Sequence, residues 1–399
     1  MSKKLSTVQF WLLVSTAINA TVLIFIPTYT VKVAGKDAWL VILINMFVAI
    51  PAVLTIILPG LRFPGQNFAQ YSEAILGKIL GKVISTMMAL VLLFQMAVTL
   101  RQFTDMLIVA ILPHTPISIL IGMILLVSTY AVYIGIQVIG RFTQIMAPIG
   151  YFFIVMVLIM LQPQADYSNI HPIIEYGWMP VFSGIYGQLA FMPQVIIMAF
   201  LLDKIENPIG AIKAAFGYVL LVGVALVLIN LVLIAVYTEE YAKLLFLPLL
   251  SMSRTIIVPG SLFSVDLILI TLWIMGIFLQ VSVLHYIVAS TLGNIIRARH
   301  HRSLIMPIGL IAASWSLMMF KNHVDLEHFI LTTLPTCYLT LFIGVPAFML
   351  LVAVLRKKGE PTIVTLKEAC WQIRSDMASV LAKLKQVYDS IYMPVDSNQ

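Results

Sequence analysis

The sequence predicts an all-α integral membrane protein with ten transmembrane helices, arranged as two inverted five-helix repeats whose first and sixth helices are broken. Three observations carry that expectation. About ten apolar runs reach the roughly 20 residues that a helix needs to cross a bilayer. Of the 399 residues, 61% are hydrophobic and 10% charged, outside the range of soluble globular domains. The first and sixth runs also carry helix-interrupting residues inside them: Asn19, Thr21 and Pro27 in the first, and Gly184, Gly187 and Pro193 in the sixth.

Either interruption alone reads as a kink, because Gly and Pro are commoner in membrane helices than in soluble ones. Matched places in two five-helix halves read instead as a ligand site near the midplane. Backbone groups freed at a break find no water in hydrocarbon and are tolerated where they face a protein cavity.

Taken in order, the spans are expected near residues 7–30, 37–59, 83–111, 116–136, 139–162, 180–202, 209–237, 263–293, 302–320 and 326–355. The first is expected to remain as a spanning helix, since its apolar run is longer than a signal h-region and has no small-x-small cleavage site. Between the second and third spans, Phe68, Tyr71, Ile75 and Ile79 recur at helical spacing, the pattern of a short helix on the inner surface. Between the seventh and eighth, the apolar stretch from Glu239 to Gly260 is broken by Pro248 and Pro259. It is expected to dip back as a lid over the outer vestibule, or to be a partly buried structural loop.

An even number of spans puts both ends on one side. Lys3, Lys4, Arg62, Lys78, Lys82, Arg141, Lys204 and Arg356 to Lys358 fall on that side, and few basic residues fall on the other, so both termini are expected in the cytoplasm. The net charge of +7 is then topological, and its scatter over loop ends points away from nucleic acid.

Charges inside spans are functional candidates by default. Arg101 and Asp105 lie one turn apart on the third span, and Asp266 begins the eighth at comparable depth. An ion pair of Arg101 with Asp266 or Asp105 would steady an outer gate; a local i,i+4 pair that only satisfies both charges fits equally well. Gln95 and Thr99 on the third span, with Gln280 and Ser282 on the eighth, lie nearer the midplane. They either glue helices together or line a cavity opposite the broken segments. His285 receives no role, and Cys337 and Cys370 suggest neither disulfide nor metal. No catalytic motif occurs, so neither enzyme activity nor a cofactor is expected. The fifth span has no lysine or carboxylate in its middle, which weakens ion coupling.

The spanning domain is expected to cover residues 1–358 and a cytoplasmic tail 359–399. In the tail, Ile363, Leu366, Cys370, Ile373, Met377, Val380, Leu384, Val387 and Ile391 alternate three and four apart, a heptad seam. Its four basic and four acidic residues after Pro361 favour a helical partner, or docking on the protein's own inner face, over anionic lipid.

Three blocks, FPGQNFAQYSEAILGKILGK at 63–82, LRQFTDMLIVAILPHTPI at 100–117 and VDLILITLWIMGIFLQVSVLHYIVAS at 265–290, taken together resemble the B subunits of bacterial spore germinant receptors. That family belongs to the amino acid–polyamine–organocation superfamily, and the resemblance spans about Ser6 to Leu355. It implies a LeuT-like fold and a permease-like subunit in the spore inner membrane. It also implies a small germinant, often an amino acid, and A-type and C-type subunits as partners. The implied pocket draws on Asn19, Ala20 and Thr21 from the first segment, and on Gly187, Phe191 and Gln194 from the sixth. Half-helix N-termini there would favour a carboxylate.

Three positions depart from the family pattern. Ala20-Thr21-Val22 replaces a Gly-x-Gly, Gln194 stands for an acidic residue, and Ser264 for a basic one two before Asp266. The alternatives carried forward are an amino-acid transporter of the same superfamily, and an ion-conducting or scaffolding subunit.

Overall fold

The computed structural model describes residues 4–189, 192–256, 265–298, 300–361 and 375. Among them the secondary structure is helical apart from one isolated parallel bridge between Leu5 and Ile205. The helices are α1 (Thr7–Ala34), α2 (Ala38–Leu61), α3 (Phe68–Leu76), α4 (Lys78–Ala110), α5 (Ile117–Ile134), α6 (Ile136–Met160), α7 (Trp178–Leu189) and α8 (Ile196–Leu201). They continue with α9 (Gly210–Ala242), α10 (Pro248–Arg254), α11 (Val265–Ile295), α12 (Arg302–Met318), α13 (His323–Tyr338) and α14 (Val345–Leu355). A π-helical turn, Leu339–Gly344, joins the last two.

Helix starts follow local chemistry. Ser6 and Gln9 form a reciprocal capping box at α1, Asn67 and Gln70 another at α3, and Asn322 caps α13 through the Asp325 amide. Each satisfies amide donors that the first helical turn leaves without an intrahelical acceptor.

Seven stretches among the described residues are long and apolar enough to cross a membrane, and the bent pair of α12 with the first part of α13, at 104°, makes an eighth. The first stretch, Thr7–Leu61, holds both α1 and α2, and the sixth expected span is the short pair α7 and α8. Contacts between connecting segments agree with ten crossings. On one face, the Leu5 amide donates to the Lys204 carbonyl and Arg62 grips the Lys358 carbonyl. On the other, Lys32 pairs with Glu327, and Lys36 with Glu175. We call the face bearing Leu5 proximal and the other distal. Every one of these partners lies an even number of crossings from its mate.

The sixth span is interrupted as expected: α7 ends at Leu189, a 3₁₀ turn runs Met192–Val195, and α8 follows. The first span differs, because α1 is helical from Thr7 through Ala34 with Pro27 inside it. Ala20, Thr21 and Val22 supply no glycine to release the backbone, and Thr21 and Thr30 hydroxyls bond back to the Ile18 and Ile26 carbonyls. The matched pair therefore consists of one continuous helix and one broken one.

The helix expected between the second and third spans is α3, and it is buried, with Phe68, Tyr71 and Ile75 packed inside. Phe68 stacks on Phe200 of α8 at 4.0 Å, and the Tyr71 hydroxyl donates to the Ala199 carbonyl at 3.3 Å. Ile79 lies in the first turn of α4 instead and is exposed. The core is formed by α1, which packs against α6, α7, α9 and α11, and by α4 against α11 and α12. The heptad tail lies outside the described residues beyond Pro361, save Ser375.

Candidate functional site

A cavity of about 100 Å³ lies midway along α1, walled by α1, α6, α10 and α11. Asn19 and Ala20 face it from α1, and Gly150 and Tyr151 from α6. Trp273 and Gly276 face it from α11, and Leu249 of α10 closes one side. Of the Glu239–Gly260 stretch, expected either as a lid or as a partly buried structural loop, α10 thus places one residue against the cavity. Thr28 of α1 holds this stretch by donating to the Leu245 and Phe246 carbonyls, and the Tyr237 hydroxyl donates to the Ser251 carbonyl.

The polar atoms of the cavity are mostly spent on each other. The Asn19 carboxamide donates to the Tyr151 hydroxyl at 2.7 Å, and the Trp273 indole N–H donates to the Ala20 carbonyl at 2.6 Å. Phe103 stacks on Trp273 from α4, with ring centroids 5.7 Å apart. Gly276 permits the close approach of α11 to α1, since a Cβ there would sit 3.2 Å from the Ala20 Cβ. Asn19 Oδ1 is buried and has no hydrogen-bond partner among the described residues.

The other sequence-predicted residues divide into separate contacts. Thr21 accepts from Gln280 Nε2 at 3.4 Å between α1 and α11, and Gln95 Nε2 donates to Thr99 Oγ1 at 3.3 Å along α4. Gln194 and Ser282 are buried, and Gln194 Oε1 and Ser282 Oγ lack partners among the described residues. Gly187 lies under the Tyr29 ring, where an added Cβ would come within 1.7 Å of the Tyr29 hydroxyl. Phe191 lies outside the described residues. The structure therefore brings Asn19 and Ala20 into one cavity. None of the remaining predicted residues that the structure describes lines it.

Of the charged candidates, Arg101 pairs with Asp105 at 3.0 Å, the i,i+4 arrangement, and both side chains are buried. Asp266 pairs with Arg254 of α10 at 3.1 Å. Asp105 also lines a smaller cavity of about 30 Å³ on the distal side, together with Tyr29, Gln102 and His323. Phe25 and Phe246, edge to face at 6.2 Å, line that cavity too.

Tyr151, Trp273, Gly150 and Gly276 were not among the residues predicted from sequence. Gly150-Tyr151 carries a signal after all: a hydroxyl beside a side-chain gap in the apolar stretch of the fifth span that follows Gln144. Attention to charges alone passes over it.

The chain matches the family described as spore germination protein, of the spore permease type, over residues 4–324. It is 26% identical to spore germination protein KB of Bacillus subtilis (strain 168) over 334 residues, covering 82% of this chain and 89% of that one. Spore germination protein YndE of the same organism is 25% identical over 364 residues, covering 90% and 99%. Among solved structures, MhsT in complex with L-phenylalanine superposes with a TM-score of 0.65 at 10% identity, covering 92% of this chain and 93% of that one. The nucleobase-cation-symport-1 family transporter MHP1, closed with bromovinylhydantoin bound, gives 0.60 at 14% identity, covering 86% and 78%. At such identities the structures speak to the fold, which is that of LeuT-like transporters.

Proposed function

The chain belongs to the spore germination protein family, and from that premise we propose that it is the membrane subunit of a spore germinant receptor, binding a small germinant at mid-membrane and triggering germination. The observation that carries this reading is the cavity at Asn19, Ala20, Tyr151 and Trp273, with a buried acceptor, Asn19 Oδ1, left unengaged. Buried polar groups are nearly always paired, and an exception in a cavity is a candidate contact for a ligand.

Amino acids are the germinant class that the family resemblance implies, and A-type and C-type receptor subunits are the partners it implies. The setting is the spore inner membrane, with the proximal face, and both termini, in the cytoplasm. The distal face is then the side of entry, and Arg101 with Asp105 braces that end of α4. Thr21, Gln95, Thr99, Gln194, Gln280 and Ser282 act as a polar shell, with Gly187 beside Tyr29, that changes packing when the broken sixth span moves against α1. Asp266 acts with them through its pair with Arg254, by holding the lid. A ligand that binds one lid position better than the other shifts the population toward it.

The full chain in proteoliposomes tests this. Saturable thermal stabilisation by a germinant, with no uptake of that germinant, is the expected result. Gradient-driven, saturable uptake would instead make the chain a transporter.

A further inference from the structure

The cavity's walls carry no Lys, Arg, His, Asp or Glu among the described residues. Its nitrogen donors are engaged: Asn19 Nδ2 with Tyr151, Trp273 Nε1 with the Ala20 carbonyl, and the α1 amides in a helix that runs unbroken past Ala20. Its hydroxyls are those of Thr16 and Tyr151. Two buried oxygens there have no hydrogen-bond partner among the described residues, the acceptor Asn19 Oδ1 and the hydroxyl Thr16 Oγ1. Most of the remaining lining is aliphatic, including Leu23, Ile24, Leu272 and Leu279.

We propose that this cavity takes an uncharged small molecule with an apolar body and one hydrogen-bond donor, presented to Asn19 Oδ1. The proposal rests on the reading of this cavity as the germinant site and narrows the ligand's chemistry. A zwitterion fits poorly for a physical reason. Its carboxylate would be stripped of water with no cation and no free backbone amide to replace that water, only the Thr16 and Tyr151 hydroxyls, and a buried charge is tolerated only when it is paired as well as hydrogen-bonded. A primary amide or an alcohol meets the walls without that penalty, its N–H or O–H satisfying Asn19 Oδ1 and its own oxygen accepting from the Thr16 or Tyr151 hydroxyl.

Gly150 supplies a way to close the cavity without touching its polar atoms. A Cβ added there meets nothing within 4 Å, so Gly150→Leu places its side chain in open space. The test uses the full chain in lipid nanodiscs and two probes that share an isopropyl body: isobutyramide, which is uncharged, and L-valine, which is a zwitterion. Thermal shift and calorimetry are read on the wild type, Gly150→Leu and Asn19→Leu, with unliganded melting as the control for folding.

The expected result is saturable binding of isobutyramide, abolished by Gly150→Leu and weakened about tenfold or more by Asn19→Leu, the loss of one buried hydrogen bond. L-Valine then shows no binding that Gly150→Leu removes. Tighter binding of L-valine than of isobutyramide, lost in Gly150→Leu, would overturn the uncharged class and leave the pocket standing. Binding of either probe that neither substitution alters would overturn the pocket itself, and with it the site of the proposed function. Failure of isobutyramide to bind the folded wild type overturns the proposal outright.

Discussion

Asn19 on the first span donates through its carboxamide to the hydroxyl of Tyr151 on the fifth, 132 residues away, at 2.7 Å. This bond ties α1 to α6 at the middle of the membrane, beside the cavity. Interhelical hydrogen bonds in membranes average roughly 0.6 kcal/mol and reach about 1.7.

A double-mutant cycle measures it. Tyr151→Phe and Asn19→Leu should each lower the melting temperature, and the double variant should lose less than the sum, with a coupling of about 0.5–1.5 kcal/mol. Additive losses would mean that the two side chains do not interact.

Gly187 and Tyr29 form a close contact between the sixth span and the first. Gly187→Ala should cost roughly 1–3 kcal/mol by overpacking, because the new methyl group overlaps the Tyr29 ring. Tyr29→Ala removes that ring and should restore much of the stability of Gly187→Ala. A Gly187→Ala chain that folds as well as the wild type would show that the two helices are free to separate there.

The Arg101–Asp105 pair is buried, so breaking it leaves one charge without its partner. Arg101→Met or Asp105→Leu alone should destabilise by about 3–5 kcal/mol, whereas the two together should fall close to the wild type. The Asp266–Arg254 pair has a half-exposed arginine, and Asp266→Asn should change stability by under about 1 kcal/mol. Melting of the four variants in detergent separates these cases. Equal losses for Asp105→Leu and Asp266→Asn would contradict the difference in burial.

His301, just before α12, is held below the usual imidazole pKa first by burial and then by the nearby charges of Lys204 and Arg302. The unfolded chain therefore binds this proton more readily than the folded one. Stability is full above about pH 6.5 and is lost as the pH falls below it. His301→Gln should flatten that part of the melting profile between pH 7 and pH 5.5. An unchanged acid slope would place the sensitivity on other groups.

The spans could be read from hydropathy because a bilayer imposes length and apolarity on each helix separately. The sixth-span break and the Arg101–Asp105 pair were legible for a similar reason, since glycine, proline and i,i+4 spacing act over a few residues. The continuity of α1 was not. Asn19, Thr21 and Pro27 resemble a break on paper, yet without glycine at Ala20 or Val22 the helical bonds persist.

Of the site, Asn19 and Ala20 were anticipated, but their partners were not. Tyr151 lies 132 residues from Asn19, and Trp273 lies 253 residues from Ala20. Only packing of the fifth and eighth spans against the first brings them together. The burial of α3 was hidden likewise, because its apolar stripe meets Phe200 on α8 and not the lipid surface.

The chain's last span ends in a clasp. The Arg62 guanidinium holds the Lys358 carbonyl through Nε and Nη2, the Glu360 amide donates to the Arg62 carbonyl, and the Lys358 ammonium reaches the Ala74 carbonyl at the end of α3. Mechanically, this riveted joint fastens the end of α14 to the corner between α2 and α3. Because Phe68 of α3 is stacked on Phe200 of α8, the joint and the second half of the broken sixth span share one wall, and neither can shift without loading the other.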